Sequence, residues 1–357
     1  MIKVLIVDDS ALVRQVLTRI LEEAPDIQVV GAARDPFEAR EKIKQLNPDV
    51  LTLDVEMPRM DGVTFLSNLM RLRPMPVVMV STLTEKGADV TFRALELGAV
   101  DFVTKPRIDV QAGLSAYTDE LLEKVRAAAL AKVSAIDLGT AKQVVGSDVS
   151  AGGGSTARGG ALNLKTTDTV IGIGSSTGGT EAVKALLSRL PPDTPGIVIS
   201  QHIPVAFSRP FAARVNKESA LVVSEASDGQ QILPGHAYIA PGDRHLRVER
   251  NGARYLCRLD DGEPVNRHKP SVEVMCLSLA RNVGKNAVGI MLTGMGADGA
   301  DAMGEMQAAG APIIAQDERS SVVWGMPGAV VKRGFADHVV SLDKMAEHLL
   351  DVLKTRA

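Results

Sequence analysis

Residues Thr169–Gly179 read TVIGIGSSTGG, an apolar run closed by a serine pair and then by two glycines. Thr169, Val170, Ile171 and Ile173 carry the β-branched signature of a buried strand. From Gly178 and Gly179 a helical pattern opens through Ala182, Val183, Leu186 and Leu187. A serine on a sharp strand-to-helix turn lifts its oxygen clear of the sheet, beside the free N–H groups of the helix start. That is what a nucleophile needs when its attack develops negative charge. The same residues also suit a phosphate-cradling loop or a plain tight turn.

A serine nucleophile requires a base, and the base an orienting acid. Of the six histidines, His202 directly follows an apolar run, GIVISQH. His236 and His245 fall in a turn-rich stretch, His268 in the loop NRHKP, and His338 and His348 near the C-terminus. AVGIMLTGMGADG supplies Asp298 in a glycine-dense turn before a helical pattern, where an N-cap is the plainer role. Asp243 and Asp260 are alternatives, both in the turn-rich stretch. Ser176, His202 and Asp298 follow three separate strands and are expected at one edge of a sheet.

A second set of residues lies at the ends of earlier apolar runs. Asp8 and Asp9 end the first, Asp54 the third, Ser81 and Thr82 the fourth, and Lys105 the fifth, just before Pro106. The carboxyl ends of parallel strands meet at one edge, so three carboxylates would crowd there. A cation relieves such crowding, and hard oxygen ligands suit Mg2+. A lysine and a hydroxyl facing an aspartate can hold the oxygens of a phosphoryl group on it.

These residues need elements to position them. The apolar runs of the first 130 residues are Lys3–Val7, Ile27–Ala32, Val50–Leu53, Pro76–Val80 and Asp101–Thr104, alternating with amphipathic helical stretches. Such alternation predicts a parallel sheet covered on both faces. From Ile136 to Thr166 the pattern fails, and AGGGSTARGG predicts a flexible tether. Alternation resumes with strands expected at Thr169–Ile173, Gly196–Ser200, Ala287–Leu292 and Pro312–Ala315. The turn signals PGH, PGD and RNG predict a hairpin-like insertion around His236–Leu259.

Composition narrows the function. At 357 residues, with 45% hydrophobic and 23% charged residues, two α/β domains with ample cores are expected. No apolar run reaches the ~20 residues of a membrane span, and MIKVLIVDDS meets acids too early for a secretory signal. Cys257 and Cys276 offer neither metal spacing nor a disulfide framework, which fits a reducing cytoplasm. Residues 165–357 hold 21 basic and 21 acidic side chains, so the basic face of a DNA-binding output module is missing. GIGSSTGG resembles a dinucleotide loop, but the next strand ends in Gln201 and His202 rather than a ribose-binding acid.

VDDSALVR, LDVEMPRMDG, VVMVST and DFVTKP resemble the response-regulator receiver domain over residues 1–122. That resemblance implies a flavodoxin-like five-stranded parallel sheet whose last helix runs to about residue 132. It makes Asp54 the phosphoacceptor. Asp9 would bind Mg2+ directly and Asp8 through water, with the Glu56 carbonyl as a further ligand. Ser81 takes the switch-hydroxyl position, Phe102 the switch-aromatic position, and Lys105 pairs with the phosphoryl group. A cis Lys105–Pro106 bond is implied too.

GSSTGGTEAV, ISQHIPVAFSRPFAARV, PGHAYIAPGDRHL, VNRHKPSVEVM, MLTGMGADGADAM and VVWGMPGAV resemble the chemotaxis protein-glutamate methylesterase family. After a linker over 133–166, this implies a doubly wound, mostly parallel α/β domain with a β-hairpin insertion over 167–357. Family roles make Ser176 the nucleophile, His202 the base and Asp298 its orienter, with Thr177 and Met295 flanking the oxyanion. Ser175 departs from the alanine of many relatives. The substrate implied is a glutamate γ-methyl ester on a chemoreceptor, with glutamine deamidation alongside. The phosphodonor implied is a chemotaxis histidine kinase. No cofactor is expected for ester hydrolysis, nor nucleic acid or membrane insertion.

Overall fold

In the computed structural model, residues 1–82, 84–106, 114–133 and 168–356 are described. The tether expected over 133–166 lies, from residue 134 onward, outside them.

The N-terminal part runs β1 (Ile2–Val7), α1 (Ala11–Glu22), β2 (Ile27–Ala33), α2 (Pro36–Leu46), β3 (Val50–Asp54), α3 (Gly62–Leu72), β4 (Val77–Ser81), α4 (Glu85–Glu96), β5 (Asp101–Thr104) and α5 (Leu114–Leu130). Its five strands are parallel, in the order β2-β1-β3-β4-β5. Helix starts are capped as their sequences suggest. The Ser10, Asp61 and Thr84 side chains accept from N–H groups of the first turns of α1, α3 and α4, and Asp35 caps α2 ahead of Pro36. The Lys105–Pro106 bond is not cis; the cis peptide among the described residues is Lys269–Pro270. X–Pro bonds favour trans by ~0.5–1 kcal/mol, and Lys105 reaches its partners without the rarer isomer.

The C-terminal part runs β6 (Val170–Ser175), α6 (Gly179–Leu187), β7 (Gly196–Gln201), α7 (Val205–Glu218), β8 (Val222–Glu225), β9 (His236–Ile239), β10 (His245–Asn251), β11 (Arg254–Asp260), α8 (Val272–Asn282), β12 (Ala287–Met291), α9 (Ala300–Ala308), β13 (Ile313–Gln316), α10 (Met326–Lys332), β14 (His338–Val340) and α11 (Met345–Arg356). Seven strands form one parallel sheet, β14-β13-β12-β6-β7-β9-β8. Strand β6 sits at its centre, and the chain winds outward from it in both directions. Along β6, Ile171 and Ile173 pack into one apolar cluster with α6, α7 and α11, while Val170 packs into another with α8, α9 and α10. The domain is therefore doubly wound, with helices on both faces.

The hairpin insertion is smaller than the sequence suggests. Strands β10 and β11 pair antiparallel about a turn at Gly252 (φ 60°). His236–Ile239, expected within that insertion, instead runs parallel in the main sheet between β7 and β8. Ala237 and Ile239 are buried on one face and Tyr238 on the other, which suits an interior strand.

The two parts pack together. Phe92 of α4 and Phe102 of β5 meet Phe207 of α7, at ring-centroid distances of 6.0 and 4.4 Å. Phe92 also meets Phe211 at 5.8 Å, and Arg214 of α7 lies over the Phe92 ring. Glu96 of α4 ion-pairs with Lys184 of α6 at 2.7 Å and with Arg214.

Candidate active site

Three adjacent central strands deliver the site. In register, Met291 of β12 lies beside Gly174 of β6, which lies beside Ser200 of β7, and Ser175 lies beside Gln201. Ser176, His202 and Asp298 thus follow neighbouring strands at their carboxyl ends, where the winding reverses. The elbow is tight. Gly178 is left-handed (φ 75°), and a Cβ on Gly179 would stand 2.2 Å from Gln201 Oε1 and 2.7 Å from Ser175 Cβ.

Hydrogen bonds separate the two serines. Ser175 is fully buried, and its hydroxyl donates to Gln201 Oε1 at 2.6 Å. Ser176 is only partly buried, and among the described residues its hydroxyl has no hydrogen-bond partner. Its backbone is fixed on both sides. The Ser176 N–H donates to Thr293 O at 3.0 Å, and Ser176 O accepts from Gly179 N–H and from Gln201 Nε2.

His202 Nε2 meets Asp298 Oδ2 at 2.9 Å, while His202 Nδ1 is buried with no hydrogen-bond partner among the described residues. If Nε2 carries the proton that Asp298 accepts, Nδ1 is left as the free lone pair. Asp298 does not cap α9, whose N-cap is Gly299. It sits instead at the start of α8, accepting from Val272 N–H at 2.7 Å, Ser271 Oγ at 2.8 Å and Asn266 Nδ2 at 2.9 Å. Burial alone would raise this carboxyl, but His202, Asn266 and Ser271 outweigh it and hold the pKa down to about 2. The ring of His268 lies against that of His202, centroids 3.7 Å apart and planes 15° from parallel. Burial, and then the neighbouring His202 charge, push the His268 pKa down to about 3.

Thr177 is buried, and its Oγ1 donates to Asp101 Oδ2 of β5 at 2.6 Å. Met295 lies in the loop after Gly294 and is partly buried. Among the described residues, neither the Thr177 N–H nor the Met295 N–H is taken by another group. Thr293 braces both loops: its Oγ1 accepts from Val323 N–H and shares its one proton between Thr177 O at 3.0 Å and Val323 O at 3.1 Å. The WGMP segment lies beneath: Trp324 Nε1 donates to Gln316 O, and the Gly325 and Met326 N–H groups donate to Gly294 O. Sequence reading singled out neither Thr293 nor Asp101, and it weighed Gln201 only as a missing acid.

In the N-terminal part, oxygens of Asp8, Asp9 and Asp54 lie within 4.8 Å of one another. Asp8 and Asp54 are fully buried, and among the described residues Asp8 Oδ2 has no hydrogen-bond partner. Hard oxygen donors at this spacing, one of them unsatisfied, fit Mg2+. Lys105 Nζ pairs with Asp54 Oδ2 at 2.9 Å and with Asp8 Oδ2 at 3.7 Å. Burial lifts the Asp54 pKa to about 6, against the lowering by Lys105 and with help from the Asp8 charge. Glu56 enters through its backbone, its N–H donating to Asp54 Oδ1 at 3.1 Å. Ser81 is buried and faces α4 rather than Asp54: Thr91 Oγ1 donates to its Oγ at 2.8 Å.

Residues 171–349 match the family model described as CheB methylesterase, and residues 4–115 match the response regulator receiver domain. A protein-glutamate methylesterase/protein-glutamine glutaminase of Xanthomonas euvesicatoria is 60% identical over 349 residues, covering 98% of this chain and 96% of its own. Its counterpart in Hydrogenovibrio crunogenus is 56% identical over 374 residues, covering 99% of both chains. The solved CheB methylesterase catalytic domain of Thermotoga maritima superposes with a TM-score of 0.51 at 34% identity, over 52% of this chain and 98% of that one. The chain belongs to the CheB methylesterase family, with a response-regulator receiver domain ahead of the hydrolase.

Proposed function

We propose that this protein hydrolyses glutamate γ-methyl esters on chemoreceptors, deamidates receptor glutamines at the same site, and is switched on by phosphorylation of Asp54. In this reading residues 1–122 are the receiver, with its last helix running to about 132. Residues 133–166 are the tether and 167–357 the hydrolase, working in the cytoplasm. The observation that carries the reading is the largely buried His202–Asp298 pair, one strand away from an elbow serine whose hydroxyl has no partner among the described residues.

Ser176 Oγ attacks the ester carbonyl as His202 Nδ1 takes its proton. Asp298, ionised and fixed by α8, holds the ring and stabilises the imidazolium. The Thr177 and Met295 N–H groups donate to the oxyanion, each such donor being typically worth ~3–4 kcal/mol. His202 then protonates the departing methoxide, giving methanol. Water, deprotonated by the same nitrogen, attacks the acyl-enzyme; the acyl–Oγ bond breaks, His202 returns the proton to Ser176, and a free carboxylate leaves. With glutamine the leaving group is ammonia.

In the receiver, Asp8, Asp9, Asp54 and the Glu56 backbone carbonyl would hold Mg2+. When bound, the ion neutralises charge as the phosphoryl group reaches Asp54. Lys105 holds a phosphoryl oxygen there. In the packed arrangement Asp101 holds Thr177, and Phe102 packs on α7, so the receiver covers the rim of the site. Drawing Ser81 toward the phosphoryl group breaks its bond with Thr91 on α4, the helix that carries Phe92 and Glu96 into the seam. A tenfold activation needs only ~1.4 kcal/mol of differential docking.

Methanol release from methylated receptor tests this. Ser176→Ala should be inactive, and Asp54→Asn should keep basal turnover yet ignore a phosphodonor. Wild-type turnover by Ser176→Ala would overturn the assignment.

A further inference from the structure

The proposed mechanism leaves one active-site imidazole without a task. His268 lies face to face with His202, and it reaches that place by an uncommon turn. Val265 and His268 exchange both backbone hydrogen bonds, at 3.1 and 2.9 Å. Between them Asn266 (φ 52°) and Arg267 (φ 69°) are both left-handed. Asparagine tolerates that conformation, but arginine in it costs ~1 kcal/mol, and glycine would be the cheap choice. The strain places two side chains at once. Asn266 Nδ2 donates to Asp298 Oδ1, and the His268 ring covers the face of His202. One tight turn therefore touches both the acid and the base. Strained backbone persists where the surroundings over-determine it, which is common at working sites.

Beyond its own Cβ–Cγ bond, the His202 ring is held at one atom among the described residues. The hydrogen bond from Nε2 to Asp298 fixes a point and a direction, but it leaves the ring plane free to tilt about that bond. A flat neighbour 3.7 Å away removes this freedom. The charged and titratable groups facing His268 are His202, Asp298, Arg267 and, from α5 of the receiver, Lys124 and Glu123, whose Oε1 is 4.0 Å from His268 Nε2.

We infer that His268 is a positioning residue for the hydrolysis, its neutral ring holding the His202 imidazole in the plane that keeps Nε2 on Asp298 and Nδ1 toward Ser176. The inference rests on the proposed function. When Ser176 gives its proton to His202 Nδ1, positive charge appears on the lower ring of the stack. A neutral π face favours that charge, whereas a second imidazolium at the same distance would oppose it. His268 touches neither substrate nor the transferred proton. Its effect belongs in kcat rather than KM, because orientation of the base matters in the transition state and not in receptor docking.

The test measures kcat and KM for methanol release from methylated receptor. It uses the full chain with a saturating small-molecule phosphodonor, and compares wild type, His268→Ala, His268→Gln and His268→Phe, with Ser176→Ala as blank. His268→Ala and His268→Gln should lose roughly 30- to 100-fold in kcat with KM within about threefold. His268→Phe, which keeps the flat neighbour and cannot titrate, should recover at least about a third of wild-type kcat. Thermal melting of each variant checks that the fold is intact, and the glutamine variant serves if the alanine variant does not fold. Either of two results overturns the inference: kcat within about threefold of wild type in the alanine or glutamine variant, or a folded phenylalanine variant as slow as they are. Absence of methanol release by wild type would instead remove the parent reading and this inference with it.

Discussion

Thr177 Oγ1 donates a 2.6 Å hydrogen bond to Asp101 Oδ2, tying the residue after the elbow serine to the first residue of the receiver's last strand. Asp101 also lies 3.4 Å from Lys124, and Phe102 beside it packs on Phe207 of the hydrolase. The strand bearing Phe102 therefore holds the proposed catalytic elbow directly.

Removing that bond should loosen the cover. A hydrogen bond to a charged group is typically worth ~1.5–3 kcal/mol, enough for a roughly tenfold shift in docking. Asp101→Ala should therefore raise methanol release without phosphodonor by roughly tenfold, and stimulation by phosphodonor should shrink correspondingly. Unchanged basal turnover would show that the Thr177 contact does not restrain the site.

Ser81 and Thr91 form the proposed link between the phosphorylation site and the seam. Thr91→Val removes the 2.8 Å hydrogen bond to Ser81 while keeping the side chain's shape. Basal methanol release should stay within about twofold of wild type, because the Thr91 hydroxyl bonds within the receiver, to Ser81 Oγ and Gly87 O, and not to the proposed catalytic residues. Phosphodonor stimulation should fall several-fold. A full phosphodonor response in Thr91→Val would show that α4 is not driven through this hydroxyl pair.

Gln201 joins the loops that carry Ser176 and His202, its Nε2 donating to Ser176 O at 2.9 Å and His202 O at 3.1 Å. Gln201→Ala should lower kcat by at least about tenfold, since small misplacements at a reacting centre are costly. Ser175→Ala should be near wild type, because it removes only the bond that steadies Gln201. A dead Ser175→Ala beside an active Ser176→Ala would exchange the roles of the two serines.

The buried carboxylates predict opposite pH behaviour. Asp298 is depressed to about 2, so its stabilisation is present above the ordinary carboxylate range and is lost only as pH falls through that range toward 2. Asp54 is raised to about 6, so the folded protein holds this proton more tightly than the unfolded chain, and stability falls as pH rises through roughly 4 to 6. Melted without divalent cation, Asp54→Asn should exceed wild type by ~1–3 kcal/mol at pH 7.5, and the gap should close near pH 4. Mg2+ should raise the wild-type melting temperature at pH 7.5 and help the variant less. A lower melting temperature for Asp54→Asn at pH 7.5 would contradict this account.

Much of this was legible before any coordinates. Long apolar runs marked the central strands, and the chemistry stood at their ends, so Ser176, His202 and Asp298 could be expected on one edge, the family resemblance then setting them ahead of Ser175, Asp243 and Asp260. What escaped depended on packing between segments distant in sequence. Asp101 reads as an ordinary strand-end acid until α7 and the elbow are laid against β5. Thr293 reads as a turn residue, yet its hydroxyl bonds to two backbone carbonyls in two loops. His236–Ile239 is flanked by turn signals, which concealed that both its faces are buried. The short edge strands β8 and β14 carry too few apolar residues to stand out.

His202 and Asp298 are hydrogen-bonded neighbours in the fold but 96 residues apart along the chain. The three strands carrying the proposed site stand side by side only once β12 has paired with β6. A ribosome that has delivered the serine and imidazole still owes the carboxyl group. A product that stops short of Asp298 therefore lacks the acid of the proposed triad and is expected to be inactive.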